Sequence, residues 1–256
     1  MSAPHHRRIS DDLRSAIADR SLGPGARLPS ESELGQKYGV SRTTVRLAIA
    51  TLSNEGLVSS ESGRGTFVRD RRQLVYRPQE EFRPQPASPE MDRFMAARVE
   101  EGRSPSQTID VAILTPPEEV RSRLQVAEDE TVVVRRRIRS LDGEPWNTND
   151  SYFPRKLVEG SEIMTPVDIA RGANQVLAEM GHRQIRALDE VYVRMPRPEE
   201  THRLKLGPGT PVAVHVATGF TEAGDPVRCV INVLPGDRHV IAWERLRPED
   251  ATEQSQ

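Results

Sequence analysis

Between residues 25 and 46 the chain reads Gly25-Ala26-Arg27-Leu28-Pro29-Ser30-Glu31-Ser32-Glu33-Leu34 and then Tyr38-Gly39-Val40-Ser41-Arg42-Thr43-Thr44-Val45-Arg46. Ser30 and Glu33 have the spacing of a capping box, in which a hydroxyl and a carboxylate each satisfy a free backbone donor at a helix start. Gly39 ends that short helix and Ser41 can cap the next. There Val45, Ala48, Ile49 and Leu52 recur at i, i+3, i+4 and i+7 and must pack inward. Arg42, Thr43 and Arg46 are left pointing outward near the helix N-terminus, where unpaired N–H groups favour phosphate and side chains reach base edges. Two short helices so joined present a reading end to a DNA major groove.

The flanking segments fit the same design. Ile9, Leu13 and Ile17, with Ala16 beside them, give an upstream helix one apolar face, and Leu22-Gly23-Pro24-Gly25 stops it. Downstream, Leu57-Val58-Ser59-Ser60 and Thr66-Phe67-Val68 flank Glu61-Ser62-Gly63-Arg64-Gly65, the pattern of a hairpin with a glycine-containing tip. After a helix-turn-helix such a hairpin is a wing, with Arg64 directed toward the minor groove. A small helical bundle with merely solvated arginines accounts for each feature singly. It does not account for their joint order.

The segment Leu28 to Leu34, the Val40 to Arg46 helix start, Leu52 to Leu57, and Gly63-Arg64-Gly65-Thr66-Phe67-Val68 resemble the GntR family of bacterial transcriptional regulators. The resemblance covers nearly all of residues 7–69 and implies a dimer on a short palindromic operator in double-stranded DNA. By position, Ser32, Arg42, Thr43, Thr44 and Arg46 match the family's major-groove contacts and Gly65 its wing tip; Ser41 and Arg64 complete the candidate DNA-binding set. Family members often carry arginine where this chain has Ser32.

Composition is consistent with a basic head on an acidic body. Residues 1–72 hold 12 Lys and Arg against 8 Asp and Glu, and the remainder 24 against 30. A net positive module attached to a net negative one suits polyanion binding by the first. The chain of 256 residues is long enough for two cores. One cysteine, Cys229, excludes an internal disulfide framework and a cysteine zinc cluster, and its apolar run makes it a buried small hydrophobe. No apolar run approaches the ~20 residues that span a bilayer, and the amino end lacks the hydrophobic stretch of a signal peptide. The expected location is cytoplasmic, with no membrane partner.

Residues 71–90 carry Pro78, Pro84, Pro86 and Pro89 and read as an extended, semi-rigid connector, with Leu74-Val75-Tyr76 available as a strand. A helix through Phe94, Met95, Ala97 and Val99 opens the second domain. Beyond it lies an internal repeat: Pro117-Glu118-Glu119-Val120, then Thr131 to Val134, then Asp142-Gly143-Glu144-Pro145; and again Pro198-Glu199-Glu200-Thr201, then Thr210 to Val214, then Ala223-Gly224-Asp225-Pro226. Each copy predicts short helix, long strand, glycine turn and returning strand, the latter near Trp146–Phe153 and Val227–Leu234. Further strands are expected at Ile109–Leu114, Gln184–Arg194 and Val240–Arg245, and a helix carrying Ile169, Val176, Leu177 and Met180. The fold class is α+β with a mainly antiparallel sheet, and two related halves leave a cleft where they meet.

Arg135, Arg137 and Arg139 share one face of an alternating strand and Arg136 takes the other. Guanidinium groups in a row repel unless acceptors are near. Either acidic partners cover them, or they form a site for a phosphorylated or carboxylated ligand. Arg137-x-Arg139, Asp142-Gly143-Glu144-Pro145, Asp150-Ser151-Tyr152-Phe153-Pro154 and Pro235-Gly236-Asp237-Arg238-His239 are similar to the UTRA effector domain of the HutC-type GntR subfamily. That resemblance, over residues 91–246, implies a chorismate-lyase-like fold, dimerisation through the body and a small-molecule pocket. Positions matching Arg137, Arg139 and Ser151 serve an anionic group, and the loop at Ser104-Pro105-Ser106 closes over it. Asn149, Tyr152 and Arg228 complete the candidate effector set with Ser106. The family commonly has Glu at the positions of Asn149 and Arg228, and Tyr at those of Leu234 and His239, so an amino-sugar phosphate is not the expected ligand.

An enzyme is disfavoured: no nucleophile has a nearby base, and the six histidines show no metal-ligand spacing. His215, within a strand, is read as a hydrogen-bonded core or pocket residue. The expectation is a winged helix-turn-helix at 1–70, a linker at 71–90, a UTRA effector and dimerisation domain at 91–248 and a polar tail at 249–256. It describes a homodimeric repressor, without cofactor or metal, modulated by a small anionic metabolite. The alternatives are a dimeric DNA-binding protein without effector and an enzyme of chorismate-lyase-like fold.

Overall fold

The computed structural model describes residues 4–61, 63–69, 73–82 and 93–245. The chain divides into two compact units, one comprising 1–72, 192–214 and 233–238, the other 73–191, 215–232 and 239–256.

In the first unit α1 (His5–Ala18), α2 (Glu31–Tyr38) and α3 (Arg42–Asn54) are followed by a hairpin of β1 (Val58–Glu61) and β2 (Gly65–Val68). The capping box forms as the sequence predicts: Ser30 Oγ accepts from the Glu33 N–H and Glu33 Oε2 accepts from the Ser30 N–H at 2.7 Å. Those bonds hold the Glu33 carboxyl below its usual range, the backbone N–H of Ser30 contributing most. Gly39, at φ +64°, ends α2 in the left-handed region that L side chains avoid. Ile9, Leu13, Leu34, Val45, Ala48, Ile49 and Leu52 form one core with Leu28, Val58 and Val68. Leu28 is there because 26–28 lies along the wing as a third strand-like segment. The Leu28 N–H donates to Thr66 O at 2.8 Å and the Val68 N–H to Ala26 O at 2.8 Å. In the same unit Arg69, the residue after β2, donates to Asp237 at 2.7 Å and to Thr210 at 3.1 Å.

After the wing come β3 (Leu74–Tyr76), a 3-10 turn at Pro78–Phe82, α4 (Arg93–Glu100), β4 (Pro105–Leu114), α5 (Glu118–Leu124), β5 (Val132–Leu141) and β6 (Glu144–Pro154). Then follow α6 (Arg155–Val158), a 3-10 turn at Glu162–Met164, α7 (Ala173–Glu179), β7 (Arg186–Arg194), α8 (Pro198–Arg203), β8 (Val212–Phe220), β9 (Pro226–Pro235) and β10 (His239–Ile241). The main sheet has the order β4-β5-β6-β9-β8-β7, with β4/β5 and β5/β6 antiparallel. The repeat is thereby explained: strand, helix, strand, strand occurs twice, and the halves meet at β6 and β9.

Three segments differ from the sequence reading. β4 starts at Pro105 rather than Ile109, so Ser104-Pro105-Ser106 is no free loop; Ser106 sits opposite Ser140 in the ladder and is exposed. β10 stops at Ile241 and pairs in parallel with β3, so Leu74–Tyr76 of the expected connector is held as a strand. Ile169 lies ahead of α7 and reaches its core from a loop.

Arg135 is fully buried, and its guanidinium donates to the carbonyls of Ile163, Thr165 and Val167 at 2.9, 2.5 and 2.7 Å. Backbone oxygens meet its charge with no carboxylate among these acceptors, and desolvation draws its pKa down. It therefore braces the segment between α6 and α7. Cys229 is fully buried in β9, and burial pushes its thiol up to about 12. We expect a thiol-specific chromogenic disulfide at pH 8 to find no reactive group in the native protein and one per chain in denaturant; rapid native labelling would contradict this packing.

Candidate nucleic-acid interface and effector cavity

The first unit exposes Ser32 on α2 and Ser41, Arg42, Thr43 and Arg46 at the start of α3. Ser41 Oγ is already engaged as the helix cap, accepting the Thr44 N–H at 3.3 Å, and lies 3.0 Å from the half-buried Thr44 hydroxyl. Arg42 and Thr43 extend from the first turn, where free N–H groups attract phosphate. Arg46 is paired with Glu31 across the turn at 3.0 Å, a partner fifteen positions away that periodicity alone does not reveal. Their hydrogen bond raises the Arg46 pKa, and the guanidinium remains open to solvent.

At the wing, Arg64 is exposed beside Gly63, and its guanidinium lies 5.7 Å from the Phe67 ring centroid. Gly65 has φ +121°, and a Cβ there would lie 2.8 Å from Arg27 Nε. Glycine thus admits Arg27, an exposed cation that the sequence reading did not assign to the interface.

In the second unit a cavity of about 240 Å³ opens between β5, β6, β9, α7 and the segment Leu74–Glu81. Arg137 and Arg139 reach it from β5, Asn149 from β6 and Arg228 from β9. Ser151 is buried beside it, accepting from Arg228 at 3.3 Å and donating to Asn149 at 3.3 Å. Arg137 donates to Asn149 Oδ1 at 3.2 Å, whose amide nitrogen donates to Asn232 at 2.6 Å. Two candidates lie elsewhere. Ser106 is exposed on the edge strand β4, outside the cavity lining. Tyr152 points to the face opposite Ser151, because neighbours in a strand alternate; burial pushes its phenol up to about 12.

Several lining residues were not legible beforehand. Trp146 enters through a β-bulge: Arg139 pairs with Asn147 but Ser140 with Pro145, so the extra residue and Asn147 both line the cavity. Its buried indole Nε1 has no hydrogen-bond partner among the described residues. Tyr76 arrives from β3, its hydroxyl 2.9 Å from His215 Nδ1 and accepting from Asn232 at 3.0 Å. His215 Nε2 lies 2.8 Å from Asp189 Oδ1, so the imidazole bridges a carboxylate and a phenol. Burial raises the Tyr76 pKa well above its ordinary value. Glu81 and Asn174 complete the set, both bonded to Arg228.

Two family models match the chain: residues 5–68 fit the bacterial regulatory proteins of the gntR family and residues 100–240 the UTRA domain. The chain belongs to the GntR family, with a UTRA body. It is 30% identical over 266 residues to the HTH-type transcriptional regulator SCO4628 of Streptomyces coelicolor, covering 97% of this chain and 95% of that one. It is 27% identical over 243 residues to the HTH-type transcriptional repressor NagR of Bacillus subtilis, covering 93% of each. A crystal structure of a GntR-family transcriptional regulator aligns with TM-score 0.61 and 26% identity, over 95% of this chain and 98% of that one. PhnF from Mycobacterium smegmatis shares the fold at TM-score 0.55 and 19% identity, over 93% and 100% of the two chains.

This GntR/UTRA protein is a transcriptional regulator with a DNA-binding head; its family and relatives are regulators rather than enzymes. Among the described residues no helix is long and apolar enough to cross a membrane, and no cluster of His, Cys, Asp or Glu could hold a metal ion. For the head we expect Arg46→Ala to weaken binding to the cognate operator roughly ten- to hundredfold if this side chain reads a base. Glu31→Ala should instead leave binding intact or tighter. A gel-shift titration checks both, and unchanged affinity in the Arg46 variant removes it from the interface.

Proposed function

We infer that this regulator is a repressor that binds a palindromic operator as a homodimer in the cytoplasm and is controlled by a small anionic metabolite in the UTRA cavity. One observation carries the reading: Arg137, Arg139 and Arg228, drawn from both sheet halves, line a single cavity whose wall includes the connector from the DNA-binding head. Guanidinium groups out of bulk water need acceptors, and an acid group offers two-pronged ones. Ser32, Arg42, Thr43, Thr44 and Arg46 serve the major groove, Arg64 and Gly65 the minor groove, and Ser41 caps the reading helix. Repression is supported by the likeness to NagR, itself a transcriptional repressor.

The homodimer reading is supported by β7, an edge strand with Leu188, Val191, Tyr192 and Val193 exposed. A sheet edge so apolar is costly in water and is relieved by pairing with a second copy. A twofold dimer places two reading heads on two half-sites, the source of operator palindromy. Ligand binding acts by its differential affinity for states that fit or miss the half-site spacing.

Selection of bound genomic fragments yields the operator, and the neighbouring genes suggest the metabolites to screen by thermal shift, since a ligand that binds the folded state raises its melting temperature. With the effector in hand, Arg137→Ala should retain operator affinity and lose the response. A variant still released from DNA at wild-type effector concentration would overturn the assignment of the cavity.

A further inference from the structure

The cation on β9 has an internal partner that comes from the connector. Arg228, its side chain 12% exposed, donates through Nη1 to Glu81 Oε1 and to Asn174 Oδ1, the latter at 2.7 Å. The same Glu81 oxygen accepts from Asn174 Nδ2 at 3.0 Å. Glu81 therefore takes two converging donors on the cavity wall, as the acid group of a bound metabolite would. It belongs to the turn Pro78–Phe82, directly after β3 and ahead of the residues that lead into α4.

We propose that Glu81 is a built-in competitor: its carboxylate fills the Arg228–Asn174 seat in the free protein, and the effector's acid group displaces it and releases the turn Pro78–Phe82. This rests on the reading of the cavity as the effector site. The charge balance sets the ligand class. A neutral ligand that moved Glu81 aside would leave a nearly buried guanidinium without its counter-charge, at a cost that removing one partner of a buried pair always carries. Another carboxylate or a phosphate restores the balance. The exchange of one anion for another contributes little by itself, so selectivity comes from contacts that Glu81 cannot make. Arg228 Nε and Trp146 Nε1 are both buried without a hydrogen-bond partner among the described residues, and both residues line the cavity. They mark donors that the internal carboxylate leaves unused.

Tethering gives the competitor its strength. A group held on a short segment acts at an effective concentration on the order of millimolar, so acids of weak intrinsic affinity do not trigger release. Displacement removes the side-chain tie between the turn and β9, while β3 stays paired to β10. The event in the cavity thus becomes a change in the connector without any movement of the sheet.

The test uses the full chain and inorganic phosphate as probe, followed by calorimetry and by hydrogen exchange of peptides covering 79–82. Glu81→Gln should bind phosphate at least tenfold more tightly than wild type, and Glu81→Asp should gain less. Arg228→Gln added to Glu81→Gln should abolish the gain. Exchange over 79–82 should rise in Glu81→Gln without phosphate and in wild type at saturating phosphate. If phosphate binding is lost in Arg137→Gln but is the same in Glu81→Gln as in wild type, or if 79–82 stays protected at saturation, the competitor is refuted and the anion cavity stands. If phosphate binds neither wild type nor Glu81→Gln, the cavity reading falls with it.

Discussion

A guanidinium withdrawn from water must find acceptors, and most of the UTRA body's arrangement follows from where each one finds them. Moving a charge into the interior costs several kcal/mol even after relaxation. Arg135 meets the cost with the carbonyls of Ile163, Thr165 and Val167, which fixes an irregular segment against the sheet. Arg137, two positions on, meets an amide oxygen of Asn149, itself tied to Asn232 and through it to Tyr76. Arg228 takes Glu81, Asn174 and Ser151. The same residue type thus gives a structural brace, a member of a polar network and an ion pair, according to what the neighbouring backbone supplies.

The head was legible because its determinants are local. The capping box, the glycine break and the apolar repeat of α3 act within a few residues of one another, and α2 and α3 run where those signals place them. Its unread features are those that span the sequence: the Arg46–Glu31 pair and the strand-like lie of 26–28 on the wing. The body shows the same division. Its repeat gave the strands and the glycine turns, since each copy carries its own pattern. The cavity was only partly legible. Alternation put Arg135, Arg137 and Arg139 on one face and the resemblance pointed to Asn149 and Ser151, but the bulge that admits Trp146 has no periodic signature. Tyr76 and Glu81 sit in a proline-bearing stretch whose composition speaks of a spacer, and only the parallel pairing of β3 with β10 brings it to the cavity.

That pairing alters the meaning of the connector. A proline-rich spacer transmits force in proportion to its stiffness, whereas a strand hydrogen-bonded to β10 is anchored at one point. Tyr76 is locked there by His215, which Asp189 orients, so the anchor is a chain of satisfied hydrogen bonds inside the unit. Beyond Tyr76 the hold passes to the turn at Pro78–Phe82 and its Glu81 carboxylate. The paired strand and the Glu81 carboxylate lie within five residues of each other.

The charge at position 228 sharpens the point. A glutamate there would repel the Glu81 carboxylate rather than receive it. Glutamate suits ligand hydroxyls, which donate; arginine suits ligand acids, which accept. Without a partner, Arg228 on β9 would be a nearly buried cation lacking an anion. Glu81 supplies the anion from the turn Pro78–Phe82, and Asn174 orients both partners. Under the proposed displacement, occupancy of the cavity and the state of the connector are two expressions of one electrostatic requirement: Arg228 holds one acid group at a time, either the chain's own or the ligand's.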